Sequence, residues 1–367
     1  MDFQQIAGCF GITDPIVAQQ EIHSGNINRT YLITAEGEAG ARQYVFQRIN
    51  SYVFKKPQSV MANILSVTEH IKKKLLEEAG SYDRRVLSFL RTADGNPYYY
   101  TSQRHFWRVY EYVDNSHAYD RVQTPQQFYE AGYAFGEFQA WLSDFPAETL
   151  ATIIPHFHDT PVRYQDLYAA IERDADGRCA GVQKEIEFLL ARENECNVLM
   201  DGLRGGTLPW RVTHNDTKIN NILFDKDSLE AICVIDLDTV MPGTSLFDFG
   251  DAIRFGASTA AEDERDLSKV SLDVGLYEQF TRGFLKGADD LLTDSEEELL
   301  LQSVKVMTLE LAVRFLTDYL NGDLYFKITS PDHNLVRART QIRLVQDMEA
   351  KWERLCEITR RCRAERV

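Results

Sequence analysis

Residues 212–239, VTHNDTKINNILFDKDSLEAICVIDLDT, decide the fold prediction. Two short apolar runs, 221–224 and 231–235, flank a polar turn at 225–230. Strand-forming residues on both sides of a polar link are typical of an antiparallel hairpin. If the turn centres on 227–230, Asn221 faces Asp236, and Asp216 lies on the loop that leads into the first strand. The sequence therefore predicts that two carboxylates and an amide meet at one end of a rigid hairpin.

These polar residues have a spacing that indicates phosphoryl transfer. His214, Asp216 and Asn221 form the pattern His-x-Asp-x-x-x-x-Asn, and Asp236 follows at the end of a strand. Such a site uses one carboxylate to take the proton of the nucleophile, and an amide with a second carboxylate to hold Mg²⁺ on the phosphates. Each residue alone has a plainer interpretation, because Asp and Asn are common in turns and a histidine is often structural. The joint spacing favours catalysis.

Length, charge and cysteine content restrict the class of protein. The 367 residues are 44% hydrophobic, which is enough for a large core and for two domains or lobes. The net charge of −16 argues against nucleic acid as a partner, since an acidic chain repels phosphate backbones. The six cysteines form neither a Cys-x-x-Cys pair nor a metal-binding spacing with histidine. With neither a signal peptide nor an apolar run long enough for a membrane span, we expect a reduced, cytoplasmic protein.

The rest of the chain divides into a β-rich first third and a helical remainder. A short helix and connector are expected in 1–20, strands at 30–34, 43–49, 85–90, 98–101 and 107–113, and a helix at 57–79. Further helices are expected at 125–142, 162–175, 182–199, after residue 263, at 295–319 and at 336–361. We therefore predict an α+β protein with a β-rich N-lobe at 1–113, a mainly helical C-lobe at 114–367, and the active site in the cleft between them.

Several of these stretches carry a family resemblance. They are Gly25-Asn26-Ile27-Asn28 with Thr30-Tyr31, YVFQRIN at 44–50, HNDTKINNILFD, CVIDLDTVMPG, and FDFGDAIRFGA at 247–257. The chain resembles the superfamily of aminoglycoside phosphotransferases and choline kinases, which implies a bilobal, protein-kinase-like fold. Within that superfamily it is most similar to the bacterial N-acetylhexosamine 1-kinases. The HNDxxxxN motif is shared across the superfamily, whereas the residues at 240–243 and 247–257 point to the narrower group.

The resemblance implies a role for each matching residue. Asp216 would be the catalytic base, Asn221 and Asp236 would bind Mg²⁺, and Asp238 would assist the metal or bind substrate. The nucleotide would be held by Gly25, Asn26 and Asn28 near the phosphates, Gln47 and Arg48 on the third strand, Glu69 paired with the phosphate-binding cation, and Glu111 and Val113 in the linker that reads adenine. The sugar would be held by Asp238, Arg314 and Tyr325, while His214 and Asp248 support the loop.

The third strand departs from the family pattern, because the expected lysine is absent. The sequence YVFQRIN offers Gln47 and Arg48 in its place, and strand alternation allows only one of them to face the cleft. Arg48 can bind a phosphate through two hydrogen bonds, although a guanidinium does not replace an ammonium freely.

Three functions remain open at this stage. The first is ATP- and Mg²⁺-dependent phosphorylation of the C1 hydroxyl of N-acetylglucosamine or N-acetylgalactosamine. The second is the same chemistry on choline, homoserine, methylthioribose or an aminoglycoside. The third is a nucleotide-binding scaffold without catalysis, which only the missing lysine supports. Arg314 and Asp318 have helical i,i+4 spacing, so a surface ion pair is an alternative to sugar contact. Expected partners are ATP and an amino sugar; the sequence indicates no nucleic acid or membrane partner, and leaves protein partners unknown.

Overall fold

A computed structural model describes residues 2–22, 27–102 and 104–365, and its first part is built on a five-stranded antiparallel sheet. The strands are β1 Ile16–Ile22, β2 Arg29–Gly37, β3 Gly40–Ile49, β4 Tyr99–Tyr100 and β5 Phe106–Glu111, in the order β1-β2-β3-β5-β4. Helix α1, Phe3–Cys9, packs on this sheet through aromatic contacts of Phe3 with the rings of Phe46 and Trp107.

Helix α2, Pro57–Ala79, follows the sheet and matches the predicted bounds. Proline is favourable at the first helical position, and Gly80, with φ of 71°, ends the helix in the left-handed region. Its apolar residues recur every three or four positions and form one buried face: Val60, Ile64, Val67, Ile71 and Leu75. This face belongs to the same apolar core as residues of the helical lobe, so α2 packs against both parts of the molecule.

The remainder of the described chain is mainly helical. The helices are α3 Pro125–Trp141, α4 Thr160–Arg173, α5 Gln183–Leu190, α6 Glu193–Cys196, α7 Val198–Gly205, α8 Ser245–Gly256, α9 Val274–Ala288, α10 Asp294–Leu320, α11 His333–Ala350 and α12 Trp352–Glu365. Short strands lie between them: β6 Ser116–His117, β7 Arg211–Thr213, β8 Ile222–Asp225, β9 Ala231–Val234 and β10 Met241–Gly243. None of the helices in the described ranges combines the length and apolar character that crossing a membrane requires.

Helices α3 and α9 approach each other at backbone distance. A Cβ atom on Gly132 of α3 would overlap the backbone of Phe280, and one on Gly283 of α9 would overlap the backbone of Tyr129. Only glycine permits this separation, which brings the carboxyl end of α3 under the loop between β7 and β8.

Three predicted elements are wrong in extent. Residues 85–90 form no strand beyond an isolated bridge between Phe89 and Tyr110, after a left-handed turn at Arg84 (φ 61°). The single helix predicted at 182–199 is α5, α6 and the start of α7, because Arg192 leaves the helical conformation and binds Glu349. The helix predicted at 336–361 divides into α11 and α12 at Lys351.

Candidate active site

The loop between β7 and β8 is shaped by His214. Its Nδ1 accepts a hydrogen bond from the Asp216 amide at 3.2 Å, and its Nε2 donates to the Ile235 carbonyl at 2.9 Å. These partners assign the proton to Nε2. One buried imidazole therefore joins the loop before β8 to the chain after β9, and it presents Asp216 at the cleft.

Asp248, in the first turn of α8, holds the same loop from below. Its carboxylate accepts hydrogen bonds from the amides of His214 (2.9 Å) and Asn215 (2.8 Å), and from the Gln139 side chain on α3 (2.8 Å). Burial raises the pKa of Asp248, while these donors and the nearby His214 oppose the rise. Asn215 has a φ of 67°, and the two bonded amides stabilise this strained turn.

The hairpin register differs from the predicted one. The structure pairs Ile222 with Val234, and the Ile235 amide donates to the Asn221 carbonyl at 2.9 Å, so Asn221 faces Ile235 and not Asp236. The prediction centred the turn on 227–230, whereas Phe224 pairs with Ala231 and the Asp225 amide donates to the Glu230 carbonyl, so the turn centres between residues 227 and 228. A bulge after Leu223 then moves the register by one residue towards the predicted pairing without reaching it.

Asp216, Asn221 and Asp236 nevertheless come together. Asn221 Nδ2 donates to the Asp216 carbonyl (2.7 Å) and to Asp216 Oδ2 (3.1 Å). Because the amide nitrogen is used in this way, Asn221 Oδ1 is the atom suited to a cation. Asp236 turns into the cleft through a left-handed backbone conformation with φ of 59°.

The electrostatic environment of Asp236 indicates that this end of the cleft can bind a cation. Asp236 is accessible from the cleft, yet dehydration by the surrounding protein, together with the charges of Asp238 and Asp216, raises its pKa to about 7. A bound cation would relieve this repulsion. Mg²⁺ prefers oxygen ligands and is typically held by one or two carboxylates together with substrate phosphates, which fits Asp236 and Asn221. In the ranges described, no group of three or more His, Cys, Asp or Glu side chains forms a metal-binding cluster.

Lys218 is a site residue that sequence reasoning missed. Its Nζ lies 3.1 Å from Asp216 Oδ1, and the neighbouring carboxylates of Asp216 and Asp251 raise the pKa of Lys218. Among the described residues that line the cleft cavity, Lys218 is the only Lys or Arg. Its position two residues after Asp216 in the motif was the available signal.

Of the two candidates on β3, Gln47 is the residue that faces the cleft. Gln47 lines the cavity and donates to Thr30 Oγ1 at 3.0 Å, whereas its neighbour Arg48 follows on the other face of β3. The cation beside Gln47 is Arg108 of β5, which donates from Nε to Gln47 Oε1 at 2.8 Å and forms an ion pair with Asp238. Sequence reasoning missed Arg108, although a lone arginine inside the apolar strand FWRVYE was visible.

The contact expected of Glu69 does not form. Its carboxylate lies 3.3 Å from Lys72 Nζ, one turn along α2, and its side chain is 56% exposed. An exposed i,i+3 ion pair of this kind contributes little to stability.

A cavity of about 400 Å³ lies between the sheet and the hairpin. Its apolar walls are Ile22 and Val45 from the sheet, and Leu87, Val113, Leu223 and Ile235 from the opposite side. Tyr112 and Val113 line it, and the neighbouring Glu111 amide donates to the Ser88 carbonyl at 3.0 Å. Asn28 also lines the cavity, whereas Gly25 and Asn26 lie outside the described residues.

Two of the expected sugar contacts, Arg314 and Tyr325, lie on α10 and the segment after it. The third, Asp238, lies in the turn Leu237–Thr239, and its two carboxylate oxygens are bonded by Arg108 and Asn28. Arg314 lies 3.5 Å from Glu310 and packs against the rings of Phe157 and Phe326. The alternative Arg314–Asp318 pair does not form, because the Asp318 carboxylate accepts backbone amides of the following segment, including that of Tyr325 at 2.8 Å. The Tyr325 residue itself is 68% exposed.

Comparison with known proteins decides the family. Residues 18–278 match the model of the phosphotransferase enzyme family, APH, and this range is well over half of the chain. The chain belongs to this family. The expected fold, an antiparallel N-lobe followed by a helical C-lobe, is thereby confirmed for this APH phosphotransferase, and so is the general enzyme class.

Solved structures show the same fold at low identity to the phosphotransferase. A microcompartment-associated aminopropanol kinase has 17% identity and a TM-score of 0.61, covering 95% of this chain and 97% of its own. Choline kinase from Cryptosporidium parvum Iowa II has 13% identity and a TM-score of 0.55 (96% and 97% coverage). A spectinomycin phosphotransferase in complex with ADP and spectinomycin has 14% identity and a TM-score of 0.51 (99% and 98%). At such identities the likeness concerns the fold alone.

Proposed function

We propose that the protein is an ATP- and Mg²⁺-dependent kinase that phosphorylates the C1 hydroxyl of N-acetylglucosamine or N-acetylgalactosamine. The observation that carries phosphoryl transfer is the meeting of Asp216, Asn221 and Asp236 at one end of a nucleotide-sized cavity. The sugar acceptor is supported by the sequence resemblance and by the charge balance of the helical lobe. We also propose 113/114 as the lobe boundary and the cytoplasm as the location.

The residues of the loop would carry the chemistry as follows. A carboxylate oxygen of Asp216 accepts the proton of the C1 hydroxyl while the hydroxyl oxygen of the sugar attacks the γ-phosphorus. The bond from the γ-phosphorus to the β–γ bridging oxygen breaks, and ADP leaves with that oxygen. Lys218, at 3.1 Å from Asp216, keeps positive charge beside the transferred group. Asn221 and Asp236 would hold Mg²⁺, which supplies neutralisation of the β- and γ-phosphate charge when bound. General-base assistance of this kind typically contributes ~10²–10⁴ in rate.

The adenine would occupy the apolar end of the cavity. Ile22 and Val45 lie above it and Leu223 and Ile235 below it, as a planar base requires. The backbone of Glu111 and Val113 would read its edge. Asn28 lies near the phosphate end of the cavity, and Gly25 and Asn26 complete this part of the proposal from the sequence alone.

The charge balance of the helical lobe argues against an anionic acceptor, which is consistent with a neutral amino sugar. Each cation near the expected acceptor site already has a carboxylate partner. The pairs are Lys218 with Asp216 (3.1 Å), Arg254 with Asp251 and Glu262 (2.9 Å each), and Arg314 with Glu310 (3.5 Å). Although burial alone would raise it, Arg254 and Lys218 hold the pKa of Asp251 below its usual value. None of these three cations is left without a carboxylate to bind an acidic acceptor.

The second candidate keeps the same chemistry and changes the acceptor to a small amino alcohol. The names of two structural neighbours, an aminopropanol kinase and a choline kinase, favour it. It requires a site for the ammonium group, typically an aromatic cage. The ring pair Phe157 and Phe326 is already occupied by the Arg314 guanidinium, which argues for the sugar.

Phosphorus NMR on the pure protein with ATP, Mg²⁺ and each amino sugar tests the proposal. We expect the parent protein to give an anomeric phosphate signal. Asp216→Asn should lower the rate at which this signal appears by on the order of 10²–10⁴. The matched control is Asp201→Asn, an exposed carboxylate on α7 that should leave the rate unchanged. Phosphorylation of choline or aminopropanol instead of the sugars would select the second candidate. If the protein binds ATP but phosphorylates none of the acceptors, the outcome would favour a nucleotide-binding scaffold without catalysis.

A further inference from the structure

Arg108 places a buried positive charge in the middle of β5. The residue is 2% exposed, and its guanidinium pairs with Asp238, 130 positions later in the chain. Its Nε donates to Gln47 on the adjacent strand at 2.8 Å. A buried ion pair is weak evidence for stability, because desolvation offsets much of the attraction, so its position is more informative than its energy.

The position of Asp238 shows what the pair connects. Asp238 lies in the turn Leu237–Thr239, two residues after Asp236. One of its oxygens is paired with Arg108, and the other accepts a hydrogen bond from Asn28 Nδ2 at 2.5 Å. Both oxygens of this carboxylate are therefore held by the sheet side of the cleft.

The contacts continue into the sheet. Gln47, which accepts from Arg108, donates from its own amide to Thr30 Oγ1 at 3.0 Å. Asn28, which donates to Asp238, accepts from the Asn50 amide at 3.0 Å. A polar network thus runs from β2, β3 and β5 to the turn that carries Asp236, and Arg108 is its only cation among the described members.

We propose that Arg108 is a positioning residue that fixes the turn after β9 to the sheet through Asp238, so that Asp236 meets the cation carried by the nucleotide. This inference rests on the proposed kinase function and deepens it. In this chain the contact that joins the sheet to the turn and the cation that faces the cavity come from two different residues, and neither is at the strand position where the family pattern places its lysine. Arg108 makes the joining contact, and Lys218 is the cation that faces the cavity.

The burial of Arg108 argues for an indirect role. Among the described residues, Gln47 and Asp238 line the cavity in front of it, while Arg108 does not. The pair nevertheless acts on the metal site through the backbone, because Asp238 lies only two residues after Asp236, in the turn Leu237–Thr239. Such partners behind a metal ligand typically change metal affinity on the order of 10–100-fold when they are removed.

Calorimetry of a non-hydrolysable ATP analogue at increasing Mg²⁺ concentration tests this role. Arg108→Met and Asp238→Asn should each raise the Mg²⁺ concentration for half-saturation by on the order of 10–100-fold. Because the effect of Arg108 passes through Asp238, the double variant should be no worse than either single variant. Arg108→Lys keeps the charge and should restore most of the lost affinity.

A matched control separates the proposed role from loss of stability. Arg192→Met removes a different ion pair, Arg192 with Glu349 at 2.8 Å, and neither of these residues lines the cavity. It should lower Tm and leave the Mg²⁺ dependence unchanged. If Arg108→Met also changes only Tm, the pair is structural and the proposal is wrong.

Two further outcomes are decisive. If Arg108→Met weakens analogue binding equally without Mg²⁺, and its effect multiplies with that of Asp238→Asn, Arg108 touches phosphate directly and the proposal is overturned. If Arg108→Met does not fold, the double variant, which leaves no unpaired buried charge, and Arg108→Lys carry the test. If the parent protein binds Mg²⁺ and the analogue but phosphorylates no amino sugar, the proposed acceptor is wrong. The proposed role of Arg108 would not be affected by that result.

Discussion

Lys218 is both ion-paired and exposed to the cleft cavity. It is ion-paired with Asp216 at 3.1 Å, and it faces the cavity as the only Lys or Arg among the described lining residues. The pair keeps the Asp216 carboxylate oriented before substrate arrives. When phosphate enters, the ammonium can exchange one oxygen partner for another, because its donors are not fixed in a plane.

We therefore expect Lys218→Met to lower kcat by on the order of 10²–10³, the cost of removing one group that stabilises transition-state charge. KM for ATP should rise as well, because the cavity loses its only lining cation among the described residues. Steady-state kinetics with the accepted substrate measures both. Lys184→Met, an exposed lysine on α5, is the control. An unchanged kcat would show that Lys218 serves only the loop.

At the scale of elements, sequence predicts what local patterns determine. Helix α2 has its predicted bounds because Pro57, the apolar spacing and Gly80 all specify the same helix. The hairpin exists as predicted, but its register does not follow from composition, because neither the centre of the turn nor the bulge after Leu223 leaves a compositional mark. Arg108 was missed for a related reason. Its partner Asp238 is 130 positions away, and only the folded chain brings the two together.

The close contact between α3 and α9 predicts that a side chain added at one of its glycines destabilises the fold. Gly283→Ala places a methyl group on the backbone of Tyr129, so the helices must separate. We expect a loss of about 1–3 kcal/mol in the free energy of unfolding, as for other overpacked interiors. Urea denaturation followed by circular dichroism measures it.

Gly205→Ala is the matched control for this substitution. Gly205 ends α7 with open space around it, and alanine there should be neutral or stabilise by about 0.4–1 kcal/mol. Equal effects of the two substitutions would contradict the close approach of α3 and α9.

At the scale of the whole molecule, ion pairs connect the first part of the chain to the helical lobe. Arg84 binds Asp225 at the hairpin turn (2.6 Å), and Lys74 of α2 binds Asp144 after α3 (2.6 Å). Backbone amides of Ser228 and Asp227, together with Arg84, lower the pKa of Asp225 to about 2, and Lys74 with His70 lowers that of Asp144 to about 2.

These depressed pKa values predict acid sensitivity with a defined sign. In the unfolded chain the pKa of an aspartate is about 3.9. Each pair therefore stabilises the fold fully above that pH, and its contribution is lost progressively as the pH falls towards 2. Thermal unfolding between pH 5 and 2 should show this decline. Asp225→Asn should be less stable than the parent at neutral pH, with a smaller further loss in acid. A variant that declines as steeply as the parent would contradict the assignment.

Gln47 and Arg108 face each other across β3 and β5 and share a hydrogen bond of 2.8 Å. This contact restricts which residues can evolve together at the two positions. The two positions constrain each other, since a lysine at 47 would repel the guanidinium and a neutral residue at 108 would leave Asp238 with only its hydrogen bond from Asn28. Substitutions at the two positions should therefore appear together across descendants of a common ancestor. Relatives that carry a lysine at the position of Gln47 should therefore lack an arginine at the position of Arg108.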